Sequence, residues 1–270
     1  QKDIVLLATK ATDMMSAAEE LLPFLKEDSL VVSLQNGICE EMLATVLGKN
    51  RVLGCVVGWG ATMHAPGELE MTSEGEFVIG AIDKNIEDIA INRVYNILSN
   101  VIPVHISENI IADLYSKLII NSCITSLGAI CGLYLGQMLR KKKIRTVFIE
   151  IMKEAMAVAD SMQLKVPAYA NKIDYYKFLE NQGWWGNFKR HLVIRVIGAK
   201  YRRLKSSSLQ SLERGRPTEI DYLNGYIAQK GKELGIPTPV NCLVVDTIKE
   251  IESGQRKISE QNFVEKGFWY

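Results

Sequence analysis

The sequence predicts an α/β domain built on a parallel sheet, followed by an all-helical domain. Two observations carry this. Up to about residue 106, short continuous apolar runs alternate with amphipathic segments of helical period. Beyond Ser107 every long segment is helical in period or turn-like. The expected division is therefore 1–106 and 107–270. With 270 residues, 47% hydrophobic and 23% charged, the chain has ordinary globular composition and enough apolar material for a sizeable core.

The elements follow in order. Asp3 to Thr9 is a continuous apolar run bounded by polar residues, as expected of a strand buried on both faces. Met14, Met15, Ala18, Leu21, Leu22 and Leu25 have helical spacing, and Leu30 to Leu34 reads as a second buried strand ending in Gln35-Asn36-Gly37. Together they make one βαβ unit. A helix over Glu40 to Leu47, a strand over Val52 to Val57, a Gly58-Trp59-Gly60 segment and the turn Ala65-Pro66-Gly67 come next. A strand at Glu76 to Ile79, a helix at Ile86 to Leu98 and a short apolar run from Val101 to Ile106 complete the first domain.

In the second domain, a helix from about Glu108 to Leu127 is apolar on most faces and is expected to be buried. Further helices are expected at Ile144 to Met162, at Pro217 to Gly235, where proline opens and glycine closes, and at Asn241 to Ser253. Residues 169–205 are rich in Tyr, Trp, Lys and Arg, with Trp184-Trp185 between Gly183 and Gly186. They read either as an amphipathic surface insertion or lid hinge, or as an interface or substrate cover. The basic run Arg140 to Lys143 reads as a solvated helix start.

Composition narrows the function. Thirty-two Lys+Arg against 31 Asp+Glu leave a formal net charge of +1, which gathers neither nucleic acid nor anionic lipid. No apolar run approaches the ~20 residues of a membrane span, since Asn121, Ser122 and Thr125 interrupt the longest, so a soluble protein is expected. Cys39, Cys55, Cys123, Cys131 and Cys242 contain no C-x-x-C pair, and no signal-peptide pattern opens the chain, so a reduced, cytoplasmic setting is expected. His64, His105 and His191 lack ligand spacing, and no metal is expected.

An open parallel sheet binds ligands beyond the carboxyl ends of its strands, where Lys10 and Asn36-Gly37 lie. Asn36 offers a donor and an acceptor, although Asn-Gly is also a common plain turn. On the long helix Lys117, Asn121 and Thr125 fall at i, i+4 and i+8, a polar stripe that drifts only about 80° around an apolar rod. The competing reading pairs Lys117 with Asp113 as a surface ion bridge, with Asn121 capping a neighbouring loop. Ser206 to Ser208 and Arg216 to Asp221 place hydroxyls and N–H groups near helix starts, which suits an anion; Glu219 there can equally complement a helix dipole.

At these residues the chain resembles the ketopantoate reductase (2-dehydropantoate 2-reductase) family. The matching pieces are DIVLLATKA, SLQNGICEE, PGELE…FVIGA, LYSKLIINSCITSLGA, SSSLQSLERGRPTEIDYLNGYI and GIPTPVN. The resemblance implies a Rossmann-type domain binding NADPH, a helical substrate domain, a cleft between them, and reduction of a small-molecule 2-oxo acid, ketopantoate, in pantothenate biosynthesis. It also allows a homodimer. By position, Lys117 is similar to the family's proton-donating lysine, and Asn121 to a substrate-contacting asparagine. Ser207 is similar to the serine that holds the substrate carboxylate. Glu219 resembles the glutamate that contacts substrate and cofactor. Lys10 and Asn36 match the cofactor-side pair, and Ala65 lies near a further cofactor contact.

Three departures stand out. Thr125 stands where the family commonly has a second asparagine, and the later Asn-Gly reads Leu135-Gly136. The 169–205 stretch is longer than usual. No G-x-G-x-x-G is present, so about 60 further residues carrying the pyrophosphate loop are expected to precede the first strand. A reductase of another branched 2-oxo acid and a non-catalytic ligand-binding or dimeric remnant are the alternatives.

Overall fold

The structure, a computed structural model, describes residues 1–170, 173–181 and 183–268. The chain divides into two compact units, Gln1–Lys117 and Leu118–Tyr270.

The first unit is built on a five-stranded sheet of β1 (Lys2–Leu7), β2 (Leu25–Ser33), β3 (Val52–Val57), β6 (Phe77–Ala81) and β7 (Val104–Ile106), in that spatial order. A separate hairpin comprises β4 (Gly60–Ala65) and β5 (Glu68–Ser73). β1, β2 and β3 run parallel, joined through α1 (Met14–Leu21) and α2 (Glu40–Leu47), whereas β6 pairs antiparallel with β3 and parallel with β7.

The sheet is thus mostly, not wholly, parallel. Between β3 and β6 the chain has no crossover helix, only the hairpin, and a connection without a crossover returns its strand antiparallel. Two glycines make that return possible. The Gly58 N–H donates to Glu76 O at 2.8 Å, and a Cβ at Gly75 would lie 2.2 Å from Gly58 O. The hairpin turns at Gly67, whose φ is +82°, and its two strands are exposed almost throughout; with no buried face, no apolar alternation announces them.

β2 and β3 carry the buried runs. On one face of the sheet Leu30, Val32, Leu53, Cys55, Phe77 and Ile79 pack with Ile91, Val94 and Leu98 of α3 (Asp88–Leu98). At Gly54 the sheet meets α4 (Ile110–Cys131), whose Ile110 and Leu114 fill the space a side chain would take.

By length and composition α4 is apolar enough to cross a membrane, contrary to the reading of its interrupted sequence, but most of it is buried within the fold. The polar residues that break the run are few enough to leave its mean hydropathy high.

The second unit is helical among the described residues. It comprises the rest of α4, then α5 (Leu135–Arg140), α6 (Lys142–Ser161), α7 (Tyr175–Glu180), α8 (Trp184–Lys200), α9 (Ser207–Glu213), α10 (Asn224–Leu234), α11 (Pro239–Glu252) and α12 (Asn262–Glu265). The helix expected from Pro217 begins only at Asn224. Before it, Thr218 is tied to α11 through Glu252 and Ile220–Tyr222 forms a short 3₁₀ turn.

The 169–205 stretch supplies α7 and α8, with Asn171, Lys172 and Gln182 outside the described residues. α8 buries Ile194 and Gly198, the latter so close to α5 that a Cβ would lie 2.7 Å from Leu139 Cβ. Its opposite side exposes Trp184, Trp185, Phe188, Leu192 and Val196.

Candidate active site

Lys10 and Asn36 stand just past the carboxyl ends of two parallel neighbours, β1 and β2, so pairing brings them to one end of the sheet. Three bonds tie that end together. Leu34 N donates to Leu7 O at 3.0 Å, Ser33 Oγ to Gln35 Oε1 at 2.8 Å, and Gln35 Nε2 reaches Thr9 Oγ1 at 3.4 Å. Gly37 then takes a φ of +94°, a conformation glycine adopts without strain, so the chain turns sharply into α2 and leaves Asn36 half-buried. Lys10 is half-buried as well. Ala65 lies on a different element, the end of β4 in the exposed hairpin.

On α4, Lys117, Asn121 and Thr125 are half-buried, whereas Leu118, Ile119, Ile120, Ser122, Cys123, Ser126 and Leu127 around them are buried. Ile124 beside them is half-buried as well, so partial exposure in this region includes the stripe without being confined to it. Thr125 Oγ1 donates to Asn121 O at 2.7 Å, which leaves its lone pairs to accept. Asp113 is held differently from the ion-bridge reading: its carboxylate accepts from the Ser107 hydroxyl at the start of the helix. Burial pushes that carboxyl above its ordinary range, and the Ser107 bond opposes the shift.

In the second unit Ser207 is the exposed first residue of α9, after Ser206, whose Oγ accepts from Leu209 N at 3.1 Å as the helix cap. Glu219 is buried. The residues beside it are anchored: Thr218 N and Oγ1 both donate to Glu252 Oε1 at 2.7 Å, and Lys249 Nζ meets Asp221 Oδ2 at 2.5 Å. The Arg-Pro-Thr-Glu-Ile-Asp segment is thus a turn clamped to α11, which presents Glu219 from backbone whose neighbours cannot move freely.

Sequence reasoning missed a buried polar chain that joins four helices. Ser126 Oγ donates to Asn224 Oδ1 at 2.5 Å, Asn224 Nδ2 to Asn241 Oδ1 at 2.9 Å, and Asn241 Nδ2 to Glu154 Oε2 at 2.7 Å. Glu154 also accepts from Val240 N and Asn241 N; burial raises its carboxyl above its ordinary range while these bonds favour the charged form. The available signal was an asparagine at the start of each of two amphipathic helices, Asn224 and Asn241. Glu40, also missed, is buried at the start of α2.

Among the described residues no group of three or more His, Cys, Asp and Glu is placed to hold a metal ion, and the five cysteines are free thiols.

Comparison with known proteins covers most of the chain. Residues 1–84 match the family described as ketopantoate reductase PanE/ApbA, and residues 109–252 match its C-terminal domain. The 2-dehydropantoate 2-reductase of Pyrococcus abyssi is 28% identical over 258 residues, 94% of this chain and 78% of that protein. The crystal structure of a PanE/ApbA family ketopantoate reductase from Ralstonia eutropha JMP134 is 32% identical, with a TM-score of 0.76 over 94% of this chain and 76% of that one. D-mandelate dehydrogenase in complex with NADH shares the fold, with a TM-score of 0.78 at 21% identity over 94% of this chain and 80% of that one.

Proposed function

Because this chain belongs to the ketopantoate reductase family, we propose that it reduces 2-dehydropantoate to pantoate with NADPH as cofactor. The observation that carries the reading is the half-buried polar stripe Lys117, Asn121 and Thr125 on a mostly buried, apolar helix. A nicotinamide dinucleotide, when bound, supplies the hydride for the carbonyl carbon of the 2-oxo acid.

The chain's own residues then have separate tasks. The Lys117 ammonium answers the negative charge that develops on the carbonyl oxygen and gives it a proton, a general-acid contribution of about 10²–10⁴-fold. Asn121 and Ser207 donate to the substrate, Ser207 at its carboxylate, and Thr125 accepts from a substrate hydroxyl, since its own proton is engaged by Asn121 O. Glu219 accepts from a substrate or ribose hydroxyl. Lys10 and Asn36 suit the cofactor side: Gly37 at positive φ leaves room for backbone approach, and a lysine and an amide stand at the carboxyl end of the sheet. Ala65 is the weaker cofactor-side assignment, on its exposed hairpin.

We assign the working form as a homodimer whose contact is the exposed face of α8, a row of large apolar side chains with no cover in the single chain. A second reading, reduction of another branched 2-oxo acid, is favoured by Thr125.

The test is the loss of nicotinamide absorbance with purified protein, run with NADPH and NADH against 2-dehydropantoate and a panel of branched 2-oxo acids. The highest kcat/KM is expected for NADPH with 2-dehydropantoate. A higher value for another acid selects the second reading, and nucleotide binding without turnover of any acid points to the non-catalytic alternative.

A further inference from the structure

Asn121, Thr125 and Gly128 fall at i, i+4 and i+7 of α4, within about 60° around its axis, so the polar stripe runs on into a position with no side chain. Gly128 is buried. Ser206 fills the space beside it: a Cβ at Gly128 would lie 2.8 Å from Ser206 Oγ and 3.0 Å from Ser206 Cβ. Neither atom can step aside at no cost. The Ser206 hydroxyl accepts from Leu209 N at 3.1 Å as the cap of α9, so turning it away uncaps the helix that Ser207 begins. The Ser206 Cβ moves only with its backbone.

The backbone leading to Ser206 is held on a second side. At the start of α5, Leu135 N donates to Leu204 O at 3.0 Å and Gly136 N to Arg202 O at 3.4 Å. A Cβ at Gly136 would lie 2.7 Å from Arg202 Cα, so this approach needs a bare position too. Lys205 is tied forward to α9, its carbonyl accepting from Gln210 Nε2 at 3.3 Å and its ammonium meeting Glu213. Residues 202–206 are therefore threaded through the corner between α4 and α5, pinned to α5 by two backbone bonds and seated on α4 at Gly128.

We propose that Gly128 is a positioning residue for Ser207: by carrying no side chain it lets the start of α9 close onto the face of α4 that bears Asn121 and Thr125. One surface then holds both the carboxylate and the remainder of the 2-oxo acid. The proposal rests on the reading of Ser207 as the partner of that carboxylate. A methyl group at position 128 either displaces the Ser206 hydroxyl from its cap or moves the Ser206 backbone outward, and both shift Ser207 relative to Asn121 and Thr125. A carboxylate is gripped alike in the ground and transition states, so misplacing its partner raises KM and spares kcat. Stability gives a second readout. Alanine is a better helix former than glycine, so the same substitution in α4 stabilises unless Ser206 is in its way.

The experiment combines Gly128→Ala with Ser206→Gly, which removes both obstructing atoms and keeps a residue suited to the cap. In the parent, Gly128→Ala is expected to lower the urea midpoint and to raise KM for 2-dehydropantoate at least about threefold, with kcat and the KM for NADPH kept within about twofold. In the Ser206→Gly background it is expected to raise the midpoint and to leave KM within about twofold of that background. A KM that stays put in the parent, or rises equally in both backgrounds, overturns the proposal. A falling midpoint with an unmoved KM does so too, by showing a purely structural role. Ser207→Ala tests the underlying reading separately: if it leaves KM unmoved while Gly128→Ala raises KM and Ser206→Gly restores it, Gly128 does seat α9 and the assignment of the carboxylate to Ser207 is what fails. If no 2-oxo acid is turned over, the change of sign in the midpoint between the two backgrounds carries the seating by itself, and its absence overturns it.

Discussion

Thr218 and Glu252 meet through two hydrogen bonds on a single oxygen: the Thr218 N–H and hydroxyl both donate to Glu252 Oε1 at 2.7 Å. The same hydroxyl oxygen accepts from Ile220 N at 3.2 Å, so one side chain fastens the turn that carries Glu219 to α11 and to itself. Thr218→Val keeps the shape, removes the hydroxyl and leaves the buried Ile220 N–H without its acceptor. The expected result is a loss of about 1–3 kcal/mol in urea unfolding and a KM for the 2-oxo acid raised several-fold. Unchanged stability and KM together would show that the clamp does not hold Glu219.

Lys117→Ala is expected to lower kcat by at least about 10²-fold, with a thermal midpoint close to the parent. Asp113 takes Ser107 as its partner, so little stability should depend on an ion pair along the helix. Steady-state kinetics with NADPH and 2-dehydropantoate, paired with a melt of the same sample, check both parts. A kcat within a few-fold of the parent would remove Lys117 from the chemistry.

The pH dependence of stability follows from Glu40. Its folded-state pKa, about 7, stands above the ordinary value of 4.5, so between these two pH values the native state holds more protons than the unfolded one. Stability from this group is fully present below pH 4.5 and is lost as pH rises through about 7. The span corresponds to roughly 3 kcal/mol as an upper figure. Urea unfolding at closely spaced pH values should show the decline in the parent and not in Glu40→Leu; parallel curves for the two proteins would refute it.

The exposed row on α8 gives an oligomer prediction. Trp184 and Phe188 stack with ring centroids 6.2 Å apart, and Leu192 and Val196 extend the same side at i+4 spacing. Phe188→Asp with Leu192→Asp is expected to shift sedimentation from dimer to monomer at micromolar concentration while far-UV circular dichroism is kept. A parent that sediments as a monomer would sink the assignment.

Much of this protein is local and therefore legible in its sequence. The alternation of apolar runs with helical periods up to residue 106 and its end thereafter specify an α/β part and a helical part, because burial on a strand or a helix repeats at intervals that neighbouring residues alone reveal. The spacing of Lys117, Asn121 and Thr125 likewise marks one side of one helix, and the Asn36-Gly37 turn comes from two adjacent residues.

What only the tertiary structure decided are relations between distant residues. The reversal of β6 depends on a hairpin whose exposed strands bury no face. Thr218 finds Glu252 across 34 residues and Asn241 finds Glu154 across 87, and nothing near either member names its partner. Glu40 shows the same limit most plainly. At the start of an amphipathic helix a glutamate reads as a solvated favourite of the helix dipole, and it becomes a buried acid only because Gly54 of β3 and the first turns of α4 close over it. Periodicity records which face a residue turns inward; the dielectric and the charges it meets there are set by what packs against that face.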